Sequence, residues 1–412
     1  MREGWKETRL RDLCADISYG YTTSATDKVT GVKFLRITDI VPDFIDWSTV
    51  PYCEISPTNY EKTKLEVNDI VIARTGATVG YAKQIKKAVD AVNASYLVRL
   101  RLNDKAHKKY IGILVESDIF KSFVRTIAGG SAQPNANAKD LTSFKFLLPP
   151  LPLQTRIADL LSAYDELIEV NNRRIALLEQ TAEQLYKEWF VRLRFPGYTQ
   201  TKVRKGMPEG WETEKIGDAF KISGGGTPSK KEKKFWEDGT INWYTPSDIT
   251  SSKGIFKFNS ELKCTENGYA SSSAKMFPAY SIMMTSRATI GAFGINTTEA
   301  CTNQGFITSI PNASYPLYFL FNQLKLMVTS FKQVATGATF PEISRGSFKK
   351  IDILKPESNL VERFEKIVKP MYEKIQTLQA QNQTLRRTRD LLLPRLISGQ
   401  LSVAEAETAL NA

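Results

Sequence analysis

Residues 157–189 read IADLLSAYDELIEVNNRRIALLEQTAEQLYKEW. Within them Ile157, Leu161, Tyr164, Ile168, Asn171, Ile175, Leu178, Ala182, Leu185 and Trp189 recur at steps of four and three in strict alternation. That alternation is a heptad seam, so the stretch is expected to form a long helix packed along another helix. A second seam keeps the same steps through Val361, Phe364, Val368, Met371, Ile375, Leu378, Asn382, Leu385, Arg389, Leu392 and Leu396. Each seam is interrupted by one asparagine. With the helices antiparallel and Asn171 facing Asn382, every other seam residue meets a seam residue: Ile157 with Leu396, Leu161 with Leu392, Ile168 with Leu385, Ile175 with Leu378, Leu178 with Ile375, Trp189 with Phe364. A shifted register would strand a buried amide among Leu and Ile at a cost of about 1–3 kcal/mol. Tyr164 would face Arg389 as a cation–π layer. Pro370, inside the second helix, and Pro394, near its end, each lack a backbone donor and predict a kink or a stop. Two other readings of the seams stand beside this one: unrelated amphipathic helices on separate cores, and a parallel homodimer through either seam.

At 412 residues the chain has room for two or three domains. Its 56 Lys and Arg against 44 Asp and Glu give +12, and the pI is near 9.3, a balance that favours a polyanionic partner. Nucleic acid comes first and an anionic membrane second. No apolar run approaches the roughly 18 residues of a membrane-spanning helix, and no signal-peptide pattern follows Met1, so a cytoplasmic protein is expected. Cys14, Cys53, Cys264 and Cys301 are scattered and form no C-x-x-C, which argues for buried free thiols rather than a disulfide framework or zinc site. His107 is the single histidine, too few for a His-based metal site or a Ser-His pair.

The fold class expected is α/β, mixed α+β, with an internal repeat. Residues 1–150 read as a first domain of short strands with a helix over Tyr110–Ile127, and 151–194 as the first long helix. Residues 195–357 read as a linker and second domain, 358–398 as the second long helix, and 399–412 as a tail. Gly4-Trp5 returns as Gly210-Trp211, Thr38-Asp39-Ile40 as Ser247-Asp248-Ile249, and Ala77-Thr78-Val79-Gly80 as Ala288-Thr289-Ile290-Gly291. Asn93 with its following strand returns at Asn303-Gln304, and Gly130 to Pro134 at Gly337 to Pro341. The halves thus form a tandem duplication, predicted to sit about a pseudo-two-fold axis at the ends of a rod about 50 Å long.

Enzymatic motifs do not match. Ser223-Gly224-Gly225-Gly226-Thr227-Pro228-Ser229-Lys230 departs from the phosphate-binding G-x-x-x-x-G-K-[ST]. The Pro-Pro of Leu148-Pro149-Pro150-Leu151 lacks the Asn/Asp and aromatic of an amino-methyltransferase, and Pro42-Asp43 has no Glu-x-Lys close behind it. Neither a catalytic residue nor a metal site is therefore assigned. The loop tips instead offer Tyr19, Tyr21, Thr22, Thr23, Arg36, Arg74, Thr75, Asn93, Gln133, Asn135 and Asn137 in the first half. The second half offers Thr227, Ser229, Lys230, Lys231, Lys233, Lys234, Tyr244, Arg287, Asn303, Gln304 and Thr339. Arg, Asn and Gln pair with base edges in the major groove, and Lys, Ser and Thr suit phosphates. The same residue types also decorate ordinary exposed loops, and Lys230 to Lys234 can be a solvated charge run.

Two diverged recognition-type domains, each followed by an equivalent helix, resemble the specificity subunit of type I restriction-modification enzymes. The resemblance is carried by the paired Gly-Trp, by Arg74 to Gly80 and Ser286 to Gly291, and by Asn303-Gln304. Pro149 to Gln154 with Arg156-Ile157-Ala158, and Leu393 to Gly399, complete it. The second half departs from the pattern at Lys355-Pro356-Glu357, where the proline-rich turn is lost. The resemblance implies a subunit without catalysis of its own, whose two target-recognition domains read the halves of a split, asymmetric DNA target while the paired helices set the unread gap. It implies two methyltransferase subunits docked largely on the helices, and restriction subunits beyond them. No cofactor is expected on this chain; S-adenosylmethionine, ATP and Mg belong to those partners. From other classes, a stand-alone nucleic-acid methyltransferase or nuclease and a coiled-coil scaffold protein remain as alternatives.

Overall fold

A computed structural model describes residues 4–129, 134–251, 254–337 and 341–411. The chain divides into two compact units, one of Met1–Val170 with Gln383–Ala412 and the other of Asn171–Asn382. The boundary falls inside both long helices, Leu151–Tyr186 and Ser358–Ile397.

In the first unit an antiparallel sheet is ordered β1–β6–β3–β4. Its strands are β1 (Cys14–Tyr19), β3 (Ile70–Ala73), β4 (Ala82–Gln84) and β6 (Leu97–Leu102); β2 (Lys33–Leu35) and β5 (Ala91–Asn93) form a parallel pair beside it. Ile70, Ile72, Val98 and Leu100 bury one face of the sheet against the helices α1 (Lys108–Glu116) and α2 (Asp118–Ile127); Val71, Ala73 and Leu97 join a separate cluster with Leu35, Ile40 and Ala91. The helix predicted over Tyr110–Ile127 is two helices. Ser117 breaks it, because its hydroxyl accepts the Phe120 N–H and so caps the second helix. A short helix α3 (Ala138–Thr142), capped by Asn137, leads to the strand Lys145–Leu148, which pairs with Lys6–Arg9. Ile157, Ala158 and Leu161 of the first long helix share one core with Leu396 and Ile397 of the second. The domain is clipped to these helix segments by ion pairs: Asp43 with Arg386 at 2.9 Å, Lys86 with Asp165 at 3.8 Å, Lys87 with Glu169 at 3.6 Å and Lys109 with Glu166 at 3.6 Å.

The second unit repeats the plan. Its sheet is ordered β7–β13–β10–β11–β9, from β7 (Lys221–Gly224), β9 (Phe256–Lys257), β10 (Ile282–Thr285), β11 (Phe293–Asn296) and β13 (Phe306–Ile310). The parallel pair is β8 (Ile241–Tyr244) with β12 (Ala300–Thr302). Helices α4 (Leu317–Leu326), α5 (Val328–Gln333) and α6 (Arg345–Lys349) follow. Here the domain meets the long helix through buried groups. The Glu365 carboxylate accepts the N–H groups of Tyr318 and Phe319 at the start of α4. Tyr318 stacks on Tyr372 with centroids 4.4 Å apart, and Asn322 donates to the Tyr372 hydroxyl at 2.9 Å.

The asparagines meet as the register requires. Asn171 Nδ2 donates to Asn382 Oδ1 at 3.0 Å, Asn382 Nδ2 donates to Asn172 Oδ1 at 2.9 Å, and Asn171 and Asn382 are both buried. In the same unit Trp189 packs on Phe364 with centroids 6.0 Å apart, so the segments run antiparallel. Two expectations change. Arg389 turns its guanidinium to Asp165, 2.5 Å away, and to Asp390, 2.8 Å away, rather than onto Tyr164, because a half-buried cation is better satisfied by a carboxylate than by a ring face. The second long helix is also not stopped at Pro370 or Pro394 and continues through both as one element. Each proline deletes one N–H, and the burial of Phe364, Val368, Tyr372 and Ile375 on either side of Pro370 holds the remaining turns.

Among the described residues no helix is long and apolar enough to cross a membrane, and no group of three His, Cys, Asp or Glu is placed to hold a metal ion. All four cysteines are free, and Cys53, Cys264 and Cys301 are buried.

Candidate nucleic-acid interface

Four chain segments converge beside one end of each sheet, and backbone bonds fix how. In the first unit β1 ends at Tyr19, and Gly20 passes so close to the Asn93–Ala94 backbone that a Cβ there would lie 2.1 Å from the Asn93 oxygen. Tyr21 N then donates to Asn93 O at 2.7 Å, and Ser95 N to Tyr21 O at 3.0 Å. The loop after β3 joins the group as Arg74 N donates to Tyr96 O, Ala136 N to Arg74 O and Gly76 N to Pro134 O. Ala138 N, at the start of α3, donates to the Tyr19 hydroxyl at 3.2 Å. Tyr19, Tyr21, Arg74, Thr75, Asn135 and Asn137 therefore belong to one patch of loop tips, and Thr22 and Thr23 follow Tyr21 on the same loop. Tyr19 is 43% exposed, and the Arg74 guanidinium lies 5.0 Å from its ring centroid.

The second unit builds the same convergence from different side chains. Gly225 is pressed against the Thr302–Asn303 backbone, with a built Cβ 1.8 Å from the Asn303 oxygen, and Gly226 N donates to Thr302 O at 2.9 Å. Ser286 N donates to Gly305 O, Ile343 N to Ser286 O and Ala288 N to Pro341 O. The Thr227 hydroxyl donates to Gln304 Oε1 at 2.6 Å. Ser229, Lys230, Lys231, Lys233 and Lys234 are exposed on the following loop, where Lys234 lies 3.7 Å from Glu232. This unit holds 29 Lys and Arg against 20 Asp and Glu, whereas the first holds 27 against 24, so most of the excess positive charge lies here.

Not every residue singled out from the sequence stands on these patches. Tyr244 is fully buried with its hydroxyl donating to Lys257 O at 3.0 Å, because all four residues of β8 are enclosed. Asn93 is buried as well and donates to Leu97 O at 2.9 Å. Its counterpart is Thr302 rather than Asn303: Leu35 pairs with Asn93 in β2–β5, and Tyr244 with Thr302 in β8–β12. Asn303 is half-buried and accepts the Gly305 N–H, as a turn residue does. Arg36 is bound by two hydrogen bonds of 3.0 Å to the Asp39 carboxylate, which raises the guanidinium pKa above its ordinary value. Arg287 occupies the position of Thr75, since each opens the bridge to the returning segment, Thr75 to Asn135 and Arg287 to Glu342; its Nε lies 2.8 Å from Glu342. Gln133 and Thr339 lie outside the described residues. Two further exposed residues stand on the patches without a sequence motif to mark them, Tyr96 on the turn before β6 and Arg345 at the start of α6.

A duplicated unit presenting such a patch twice matches one family model, type I restriction modification DNA specificity domain, at residues 2–180 and again at 208–387. The chain belongs to that family. Its relatives include the type I restriction enzyme HindI specificity subunit of Haemophilus influenzae, 24% identical across 96% of this chain and 99% of that one. The type I restriction enzyme MjaIX specificity subunit of Methanocaldococcus jannaschii is 25% identical, across 73% of this chain and 71% of its own. In fold, the type I restriction-modification S subunit from M. genitalium superposes with a TM-score of 0.58 at 16% identity, over 95% of this chain and 96% of that one. Both family domains begin near a Gly-Trp pair and end inside a long helix, so each match takes in one loop patch and the helix behind it.

Proposed function

We propose that this chain is the DNA-reading subunit of a type I restriction-modification complex, non-catalytic in itself, with each unit reading one half of a split target. The convergence of four loops in each unit carries this reading. Two scaffolds of one topology present Tyr, Arg, Thr and Asn in one case and Lys, Gln, Thr and Arg in the other, so the half-sites differ. The net charge of +12 supplies sequence-independent affinity for phosphates. The paired helices set the distance between the half-sites. They also dock two methyltransferase subunits through apolar residues left outside the seam, Leu167 and Leu391 in one unit, Leu177 and Ile367 in the other. S-adenosylmethionine, ATP and Mg chemistry resides on the partner subunits, in the cytoplasm.

The test is selection of methylated or bound duplexes from a randomised pool by the chain assembled with its methyltransferase. Two unlike half-sites separated by a fixed unread gap are expected; a complex without preference among split sequences refutes the reading. Turnover by the purified chain alone, with S-adenosylmethionine or a divalent metal, would refute its non-catalytic part.

A further inference from the structure

By strand register and backbone bonds the two loop patches share one slot, filled in opposite ways. The strand side of the slot is Tyr19 in the first unit and Gly224 in the second. The two are equivalent because Tyr19 stands across from Val98, itself across from Ile72, while Gly224 stands across from Ile307, itself across from Met284. The glycine that follows each packs on the same backbone turn. The helix side is Ala138 in one unit and Arg345 in the other. Each is the first residue after a helix cap, Asn137 accepting the Asp140 N–H and Ser344 the Ser347 N–H, and each cap follows a strand-like bond to the Arg74 or Ser286 carbonyl.

The first unit thus combines a large strand residue with a small helix residue, and the second does the reverse. The exchange is spatial as well as sequential. A Cβ at Gly224 would lie 2.6 Å from Arg345 Nη1 and 2.7 Å from its Cζ, so the guanidinium of Arg345 occupies the space beside the strand that a side chain at Gly224 would need. In the first unit the tyrosine ring takes that space and a guanidinium reaches it from Arg74, a position that is Ser286 in the second. Both slots therefore hold one guanidinium, delivered from different elements. Arg74 Nε is buried without a hydrogen-bond partner among the described residues, Arg345 is exposed without an ion pair among them, and Arg287 is held by Glu342.

We propose that Arg345 is a specificity-determining residue of the second unit, reading a guanine edge from the slot that Tyr19 and Arg74 share in the first. A planar fork with five donors suits the O6 and N7 acceptors of guanine, and a guanidinium without a protein carboxylate loses no ion pair on engaging them. Because the fork enters from a helix start here and from a loop above a tyrosine ring there, one slot chemistry serves two different half-sites.

This inference rests on the DNA-reading role, and the experiment separates the two. The chain and its Arg345→Ala and Arg345→Lys variants are each assembled with the methyltransferase and used to select from duplexes randomised in both half-sites. Arg345→Ala is expected to lose about 5- to 150-fold of discrimination at one G·C pair of a single half-site, with the other half-site unchanged in the same molecule. Arg345→Lys keeps the charge and the salt dependence but not the planar fork, so it should lose part of the same discrimination, at the same base pair, with the parent's salt slope. The intact half-site reports that each variant is folded. Selection identical to the parent, or a uniform loss across all sequences with a salt slope lowered by about one, overturns the inference while leaving DNA reading in place. A parent chain that selects no sequence overturns both.

Discussion

Replacing Asn382 by Leu removes a residue that is 2% exposed and makes two side-chain bonds, accepting from Asn171 at 3.0 Å and donating to Asn172 at 2.9 Å. Asn172 is half-buried and recovers a partner from water. Asn171 is 4% exposed, and its buried amide loses its side-chain partner, which sets the cost at about 1–3 kcal/mol for one unsatisfied buried group. Leu adds apolar burial, so the net loss should lie at the lower end of that range. Asn171→Leu takes the donor from Asn382 Oδ1 but leaves Asn382 Nδ2 bonded to Asn172, so its loss is of the same kind and no larger. The double variant removes both polar partners, and its stability should return close to the parent's, giving a coupling of about 1–3 kcal/mol in a double-mutant cycle. Urea unfolding followed by circular dichroism measures it, with all four chains compared at one pH. Single effects that simply add would refute the claim that these two amides specify the helix register.

Two further outcomes follow from charge and burial. Lys230→Ala with Lys231→Ala should lower the slope of log affinity against log salt by up to about 2 on any duplex, without altering which sequence is preferred; anisotropy titrations across KCl check it, and an unchanged slope rejects phosphate contact there. Burial lowers the Lys257 ammonium to about 8. Below that pH the folded chain carries a charge it disfavours. Between about 8 and the ordinary lysine value the unfolded chain binds more protons, so stability should rise with pH across that window. Lys257→Met should flatten this rise in melting temperature, and a rise that persists in the variant would assign it to another group.

The long helices and their register were legible because a heptad seam is a local signal and a single polar layer marks where it must align. The duplication was equally legible, since Gly-Trp, the tight glycines and the Asp of each short turn serve backbone geometry and survive divergence. The loop patches were read less well, for reasons visible in the fold. Tyr244 looks like a loop residue beside Thr245-Pro246, yet β8 is buried on both faces and its last side chain points inward. Arg74 and Arg287 look equivalent beside matching A-T-hydrophobe-G motifs, but the first unit has one more residue in that loop: Gly80 N bonds Ala73 O, seven residues back, and Gly291 N bonds Thr285 O, six back. Arg345 lies in a segment without any motif, and only its proximity to Gly224 reveals its place. The division at Ser117 is not legible in the sequence, because apolar periodicity continues through a serine whose hydroxyl starts a new helix.

The most direct measurement is the length of the unread gap after matched seven-residue insertions into both long helices at the level of Asn171 and Asn382. Seven residues add about 10 Å of helix, the rise of about three base pairs. If paired helices hold two readers apart, methylation mapping should return the same two half-sites with a correspondingly longer gap. The same half-sites at the original gap would contradict it.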